Sequence, residues 1–363
     1  MTHIVVPTAG YIEFCQGMPK AELHMHIEGS LTPQQRIKLA RRNQLPTAGL
    51  TLNDIEEARN FGTSGTAVGD LRQMLDYYYG GIEVLRVRQD FFEMTYAYLR
   101  KCSEENVQYA EISFDPQAHT SRGISFEDVV SGLVDAIEAA RRTRAVAASL
   151  IMCINRDKTI ESAFEMLRAA EPYRQYILGM GLDSNEQGNP PIKFKDVYKE
   201  AAQQGYRLTA HCDVDQEDSV RHIWQCIDVL GVDRIDHGLN CIEDRALVDE
   251  LKARQTCLTG CPTWRPRDAG PRRMDRIRAM FDHGLRVTLN SDDPGVFTSG
   301  TLGHMFPYAA AVGNFTQAEA AQLSINAFEG SWLAEQDKAD MVGKVAAYAQ
   351  GSRAPSAQCE EAQ

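Results

Sequence analysis

Eight short apolar segments alternate with longer amphipathic segments along the 363-residue chain, and this alternation limits the fold more than any other feature. The apolar segments have the length of buried strands, whereas the segments between them have the spacing of helices. Eight such units predict a parallel (β/α)8 barrel of the α/β class, and a doubly wound open sheet is the alternative architecture. The predicted strands are Ala21–His26, Gln108–Ser113, Ala147–Ile154, Ile177–Leu182, Arg207–His211, Arg234–His237, Gln255–Thr259 and Arg286–Asn290.

One long segment between the first two strands departs from the regular alternation. Residues of about 32–100 are mostly helical in pattern and too many for a simple crossover. We expect a helical insertion at the mouth of the barrel, where a lid would lie. The pattern predicts a single barrel domain over residues 1–350, followed by a mobile tail at 351–363 that is rich in Ala, Ser, Gln and Glu.

Composition and charge exclude several classes of protein. Hydrophobic residues make up 43% and charged residues 24%, as in ordinary globular domains. No run approaches ~18 apolar residues, and no signal-peptide pattern is present, so a cytoplasmic protein without membrane contact is expected. The nine cysteines form no CxxC pair and are predicted to be reduced. A net charge of −12 argues against nucleic acid as a partner, while a homo-oligomer stays open.

Polar residues follow several of the predicted strands. The carboxyl ends of parallel strands meet at one face of a barrel, so these side chains are expected to converge there. Histidines at i and i+2 of one strand also project to the same side. Three histidines and a carboxylate at one place suit a divalent ion such as Zn²⁺. The residues at these strand ends are His24, His26, His211, His237, Asp292 and Asp293.

Each of these features also has a simpler interpretation. A His-x-His pair is often a coincidence, a single histidine is often only hydrogen-bonded, and Asp-Asp-Pro often begins a helix. These interpretations would have to hold independently at four strand ends, which favours the metal site. The remaining histidines are interpreted as structural or surface groups; they are His3, His119, His222, His283 and His304.

Several motifs resemble those of the adenosine and adenine deaminases of the amidohydrolase superfamily. The resemblance extends from about Pro19 to Leu333, and it implies the same barrel fold. The motifs that carry it are Pro19–Leu31, Phe114–His119, Gly181–Glu186, Ile235–Gly238, Cys261-Pro262 and Ser291–Pro294.

The resemblance implies a zinc-dependent hydrolytic deaminase with one zinc per chain. Zinc would lower the pKa of a bound water towards ~7 and make a nucleophile available at neutral pH. His237 would orient that water or take its proton. The implied zinc ligands are His24, His26, His211 and Asp292.

The resemblance also implies how a purine substrate is held. Asp293 would bond the N7 side of the ring, and the backbone N–H of Ser184 would face N3. Glu28 and Asp183 lie in motifs that resemble the adenine-type branch, which acts on free bases, and are predicted substrate-binding residues.

Two positions depart from the family pattern. The family's third motif reads His-Ala-Gly-Glu, and its Glu donates a proton to N1, but the matching residue is Val214. The following stretch is longer than usual, so Asp215 is the first choice as proton donor, with Asp213 and Glu217 as alternatives. The acidic cluster could instead cap the next helix. Trp264 replaces a polar residue and forms either a pocket wall or barrel-top packing.

The changed donor loop predicts a changed substrate, because this loop adjoins the exocyclic amine. We expect a preference for N6-substituted adenine, as in cytokinin deaminases, with release of an alkylamine and hypoxanthine. Adenine deaminase and adenosine deaminase are the alternatives within the family. Outside it, a zinc hydrolase without deaminase activity and a non-catalytic binding protein remain to be distinguished.

Overall fold

Eight parallel strands form one sheet in the computed structural model, which describes residues 6–59, 61, 67–212, 216–263 and 269–351. Each strand pairs with the next one along the chain, in the order β1 to β8. The strands are β1 (Lys20–His26), β2 (Val107–Phe114), β3 (Ala147–Asn155), β4 (Ile177–Asp183), β5 (Arg207–Cys212), β6 (Arg234–His237), β7 (Cys257–Gly260) and β8 (Arg286–Leu289).

The sheet closes where the segment after β8 meets β1. Met25 and Asp292 form a parallel bridge. The backbone N–H of His26 donates to the carbonyl of Asp292 at 3.0 Å, and the N–H of Asp292 donates to the carbonyl of His24 at 3.2 Å. These bonds leave no free edge at this end of the barrel, so the (β/α)8 prediction is confirmed and the open sheet is excluded.

Helices connect the strands and surround the barrel. No helix among the described residues is long and apolar enough to cross a membrane. The π-helix Cys226–Leu230 continues α10. The α-helices are α1 (Ala9–Gly17), α2 (Pro33–Arg42), α3 (Leu52–Ala58), α4 (Ala67–Ile82), α5 (Arg88–Glu104), α6 (Pro116–Thr120), α7 (Phe126–Arg144), α8 (Ile160–Ala170), α9 (Lys195–Gln203), α10 (Ser219–Gln225), α11 (Arg245–Ala253), α12 (Ala269–Asp282), α13 (Leu302–Gly313), α14 (Gln317–Gly330) and α15 (Glu335–Gly351).

The helices between β1 and β2 differ in where they lie. Helix α5 packs against α7 in the outer ring, where a side chain at Gly132 would meet the carbonyl of Arg88 and the Cβ of Phe91. Helices α2 to α4 therefore form the insertion, and α5 belongs to the barrel. The predicted insertion of about 32–100 included α5 because an amphipathic pattern does not show which surface a helix covers.

Candidate active site

Three histidines and one aspartate form a compact cluster at the carboxyl ends of β1, β5 and β8. Their ligand atoms all lie within 4.8 Å of one another, and all four residues are buried. His26 Nε2 and His211 Nε2 are 3.1 Å apart, and Asp292 Oδ1 lies 3.4 Å from His24 Nε2. The structure thus brings together the four residues predicted as metal ligands.

Hydrogen bonds outside the cluster set the protonation of two of these rings. The hydroxyl of Thr259 donates to Asp236 Oδ1 at 2.9 Å, so it can only accept from His24 Nδ1, also at 2.9 Å. His211 Nδ1 donates to the carbonyl of Leu182 at 2.9 Å. Both rings therefore carry their proton on Nδ1, and both Nε2 lone pairs face the centre of the cluster.

Burial keeps His26 and His211 neutral, whereas at His24 burial is outweighed by the carboxylates of Asp236 and Asp292, which raise its pKa. Burial, with His211 and His24 nearby, lowers the pKa of His26 to about 4. Burial and the neighbouring His24 lower the pKa of His211 to about 3. Neutral imidazoles are the form that binds metals. His24 Nε2 is buried and has no hydrogen-bond partner in the described part of the chain. An orphaned lone pair inside a cluster of N and O donors fits a zinc ion.

Three supporting residues were missed by sequence reasoning. Asp236 lies below two rings, with Oδ1 3.8 Å from His24 Nδ1 and Oδ2 3.6 Å from His211 Nδ1. Arg156 donates from Nη1 to the carbonyl of His211 at 2.9 Å. With Thr259 they orient the rings, a role in which acidic and hydroxyl groups are common around metals. The motif Ile235–Gly238 contained Asp236, but its spacing gave no sign of this role.

His237 stands beside the cluster on a strained backbone. Its ring centroid lies 4.5 Å from that of His24 and 5.2 Å from that of His211. The backbone φ is +64° at His237, +64° at Asp292 and +71° at Ser184. Residues with a side chain rarely adopt this left-handed conformation, and such strain is concentrated at functional sites. The strain turns these three residues from the ends of their strands towards one cavity.

Two carboxyl groups lie side by side at the ends of β2 and β4. Asp115 and Asp183 are both buried, and their carboxyl oxygens lie within 4.8 Å of each other. Tyr78 donates to Asp115 Oδ2 at 3.4 Å, and Asn155 donates to Asp183 Oδ1 at 3.1 Å. Burial and the neighbouring Glu28 raise the pKa of Asp115, and burial and Asp115 raise that of Asp183.

Glu28 lies behind this pair. Its Oε1 accepts from the backbone N–H of Asp115 at 3.0 Å and from His119 Nε2 at 2.9 Å. Arg122 donates to His119 Nδ1 at 2.8 Å, which places the His119 proton on Nε2 because a guanidinium cannot accept. Burial lowers the pKa of His119 to about 3 and raises that of Glu28 to about 7. His119 is thus the structural group that the sequence predicted.

Helix α4 covers the cavity above these groups. Leu71, Met74, Leu75, Tyr78 and Tyr79 line it, and their spacing places them on one face of the helix. The cavity has about 530 Å³ of space, including the part open to solvent. Tyr79 donates to the hydroxyl of Ser184 at 2.9 Å. The insertion thus reaches over the strand ends and is anchored there by tyrosine hydroxyls.

Asp293 lines the same cavity from the segment after β8. A side chain at Gly29 would collide with the Asp293 carboxyl group, so glycine at this position leaves room for it. Glu217 is exposed on the turn before α10 and does not line the cavity. The predictions for Asp213, Asp215 and Trp264 lie outside the described residues, as do residues 352–363 of the predicted tail.

A (β/α)8 barrel with clustered imidazole and carboxylate groups at the carboxyl ends of its strands is typical of metal-dependent hydrolases. The chain belongs to the adenosine deaminase family, whose model matches residues 19–348. It is therefore a hydrolytic deaminase of the amidohydrolase superfamily that acts on an aminopurine.

Relatives and solved structures agree with this assignment. An uncharacterized deaminase of Schizosaccharomyces pombe is 42% identical over 325 residues, which cover 90% of this chain and 94% of the relative. The crystal structure of an adenine deaminase from Arthrobacter aurescens is 36% identical, with a TM-score of 0.83 over 92% of this chain and 100% of that chain. An amidohydrolase from Burkholderia ambifaria with bound zinc is 25% identical, with a TM-score of 0.82 over 97% of both chains. Zinc is the cofactor of this family, and the buried cluster fits it.

Proposed function

We propose that this protein deaminates a free aminopurine base and prefers adenines that carry a substituent on N6. The proposal rests on Val214, which occupies the position of the family's proton-donating glutamate. From the sequence change we expect this position, next to the exocyclic nitrogen, to accept a substituent. The apolar wall formed by Leu71, Met74 and Leu75 of α4 supports the proposal, since an alkyl group gains from burial against such side chains.

In this proposal His24, His26, His211 and Asp292 hold the zinc. Zinc, when bound, acts as a Lewis acid that lowers the pKa of water at the site. The 3.1 Å between His26 Nε2 and His211 Nε2 is short enough for both nitrogens to bind the same ion. The hydrolysis consumes one water, replaces the exocyclic C6–N bond with a carbonyl group and releases the amine.

Two residues move protons in the proposed reaction. His237 adjoins the cluster and takes a proton from the attacking water. Asp215 donates a proton to N1, because attack at C6 pushes electron density onto that nitrogen. A carboxylic acid held in a water-poor pocket has a raised pKa, which suits donation at neutral pH.

Three cavity residues orient the purine ring. Asp293 faces N7, with a proton that it carries or shares with the ring, and the N–H of Ser184 faces N3. The positive φ of Ser184 turns this segment towards the cavity. Asp183 lines the cavity, while Glu28 bonds the backbone of Asp115 and acts on the substrate through it.

A comparison of kcat/KM for N6-isopentenyladenine, adenine and adenosine tests the substrate. Burial of each CH₂ contributes ~0.8 kcal/mol, so a five-carbon group is expected to raise kcat/KM by ~10²-fold or more over adenine. Release of the alkylamine and of hypoxanthine is measured by chromatography. A clear preference for adenine would favour the second candidate, suggested by the adenine deaminase of similar structure, and a preference for adenosine would contradict the free-base proposal.

Asp215→Asn tests the proton donor. The variant is expected to keep its zinc and to lose ~10²–10⁴-fold in kcat, the usual contribution of a general acid. Glu217→Gln is the matched control, because Glu217 is exposed outside the cavity, and it should behave like the wild type. Normal turnover in Asp215→Asn would assign the donor to Asp213 or leave the acidic cluster as a helix cap.

A further inference from the structure

Two carboxyl oxygens in the cavity wall, Asp115 Oδ1 and Asp183 Oδ2, have no hydrogen-bond partner outside their own acid pair among the described residues. Asp115 is 2% exposed, lines the cavity and receives the Tyr78 hydroxyl on Oδ2. Its Oδ1 is buried, and no described residue outside the acid pair donates to it; Asp183 can share a proton with it. A buried polar atom without a partner is destabilising, and native structures usually satisfy it with a ligand or water. Asp115 Oδ1 is therefore placed to accept a hydrogen bond from a bound molecule.

The neighbouring acids Glu28 and Asp183 are less available than Asp115 to accept a hydrogen bond from a bound molecule. Glu28 is bonded on Oε1 by the backbone of Asp115 and by His119, and it does not line the cavity. Asp183 shares the cavity wall, with Oδ1 bonded by Asn155 and Oδ2 3.5 Å from His26 Nδ1. Among the described residues Asp115 forms no ion pair with a histidine, so its Oδ1 is the more available of the two oxygens.

The position of Asp115 and Asp183 relative to the histidine cluster bears on which end of a substrate would contact them. His26 turns Nε2 towards His211 and Nδ1 towards Asp183, so the pair lies on the other side of the His26 ring. In the proposed binding mode the N–H of Ser184, the residue after Asp183, faces N3. Because N3 and N9 are both bonded to C4, this end of the purine would lie towards the pair. In a free base N9 can carry a hydrogen, whereas in a nucleoside it carries the sugar.

We propose that the Asp115 carboxylate accepts the N9–H of the substrate and so selects free bases over nucleosides. This inference rests on the proposed action on an aminopurine. Tyr78 and Tyr79 strengthen the selection, because their hydroxyls bond Asp115 and Ser184 and hold α4 over the same end of the cavity. A sugar on N9 would meet a buried carboxylate and this tyrosine pair in place of water.

Methylation of N9 tests the contact directly. The test compares kcat/KM for the best free base and its 9-methyl derivative in the wild type and in Asp115→Ala. A site built around a substrate N–H rejects an analogue without it by ~10⁴-fold or more, so the wild-type ratio should be large. Asp115→Ala should react more slowly with the free base. Its kcat/KM values for the free base and the 9-methyl derivative should differ by no more than about tenfold, because the acceptor is gone and space is opened.

A 3-deaza analogue serves as the control substrate, since its ratio to the parent base should not change in Asp115→Ala. Bound zinc and the melting temperature show whether the variant is folded. If a folded, zinc-loaded Asp115→Ala kept the wild-type 9-methyl ratio, the inference would be wrong while the deaminase proposal stood. If the variant did not fold, equal wild-type rates for the free base and its 9-methyl form would still overturn it. A wild type that deaminates no purine at all would instead contradict the proposed function.

Discussion

Burial shifts the pKa values of polar groups in opposite directions in the two halves of the barrel rim. On the side of β1, β5 and β6, burial lowers the pKa of His26 and His211 to about 4 and about 3. On the side of β2 and β4, burial raises the pKa of Asp115 and Asp183. In both halves desolvation disfavours the charged form. The same physical effect therefore favours neutral imidazoles at His26 and His211 on one side and hydrogen-bonding acids on the other.

The halves also differ in where their unsatisfied atoms point. In the histidine half, Thr259 and the Leu182 carbonyl take the outer ring protons, which leaves Nε2 lone pairs for a cation. In the acidic half, Asp115 Oδ1 and Asp183 Oδ2 have no hydrogen-bond partner outside their own pair in the described ranges. The difference supports the proposal that one half binds the metal and carries out the hydrolysis, and that the other accepts hydrogen bonds from the substrate.

Loss of one imidazole should abolish the function of the histidine half. His24→Ala removes one of the four clustered donors, so most of the zinc and essentially all deaminase activity are expected to disappear. Elemental analysis and an activity assay measure both. His283→Ala, which removes an exposed histidine, is the control. Full zinc occupancy in His24→Ala would contradict the proposed ligand set.

His237→Ala should separate metal binding from catalysis within the same half. The ring adjoins the cluster but is not one of its four ligands. The variant is expected to keep its zinc and to lose ~10²–10⁴ in kcat, because a positioned base is removed. Steady-state kinetics together with zinc content decide the point. Near-normal turnover would assign the proton transfer to another group.

Asp236→Asn should lower the zinc affinity of the histidine half without abolishing zinc binding. The Asp236 carboxylate lies below His24 and His211 and accepts the Thr259 hydroxyl. Loss of such a supporting group typically costs ~10–100-fold in metal affinity. Competition with a chelator measures the affinity, and the free-base to 9-methyl ratio should stay as in the wild type. Unchanged zinc affinity would show that Asp236 only fills the barrel interior.

Tyr79→Phe should produce the smallest effect, and only in the acidic half. It removes one hydroxyl that bonds Ser184 and receives Asn155. A neutral hydrogen bond contributes ~0.5–1.5 kcal/mol, so KM should rise a few-fold to about tenfold. Zinc content should not change. A larger loss in kcat than in KM would show that the hydroxyl takes part in the reaction rather than in anchoring α4.

The sequence alone determined the barrel and the metal cluster, because both depend on local patterns. Apolar segments of strand length predicted all eight strands, and parallel strands must place their carboxyl ends together. The polar residues at those ends therefore had to converge. The boundaries shifted slightly, as at β7, which begins at Cys257 rather than Gln255. Gln255 has a φ of +56°, which belongs to the turn after α11.

Only the tertiary structure decided which groups support the cluster and which remain unpaired. His24 and Thr259 are 235 positions apart, and no local pattern relates them. The same holds for Tyr78 of the insertion and Asp115 at the end of β2, which meet only because α4 folds over the rim. Whether a buried oxygen has a partner depends on every element packed around it. A linear pattern predicts where a side chain starts, whereas long-range packing decides what it touches.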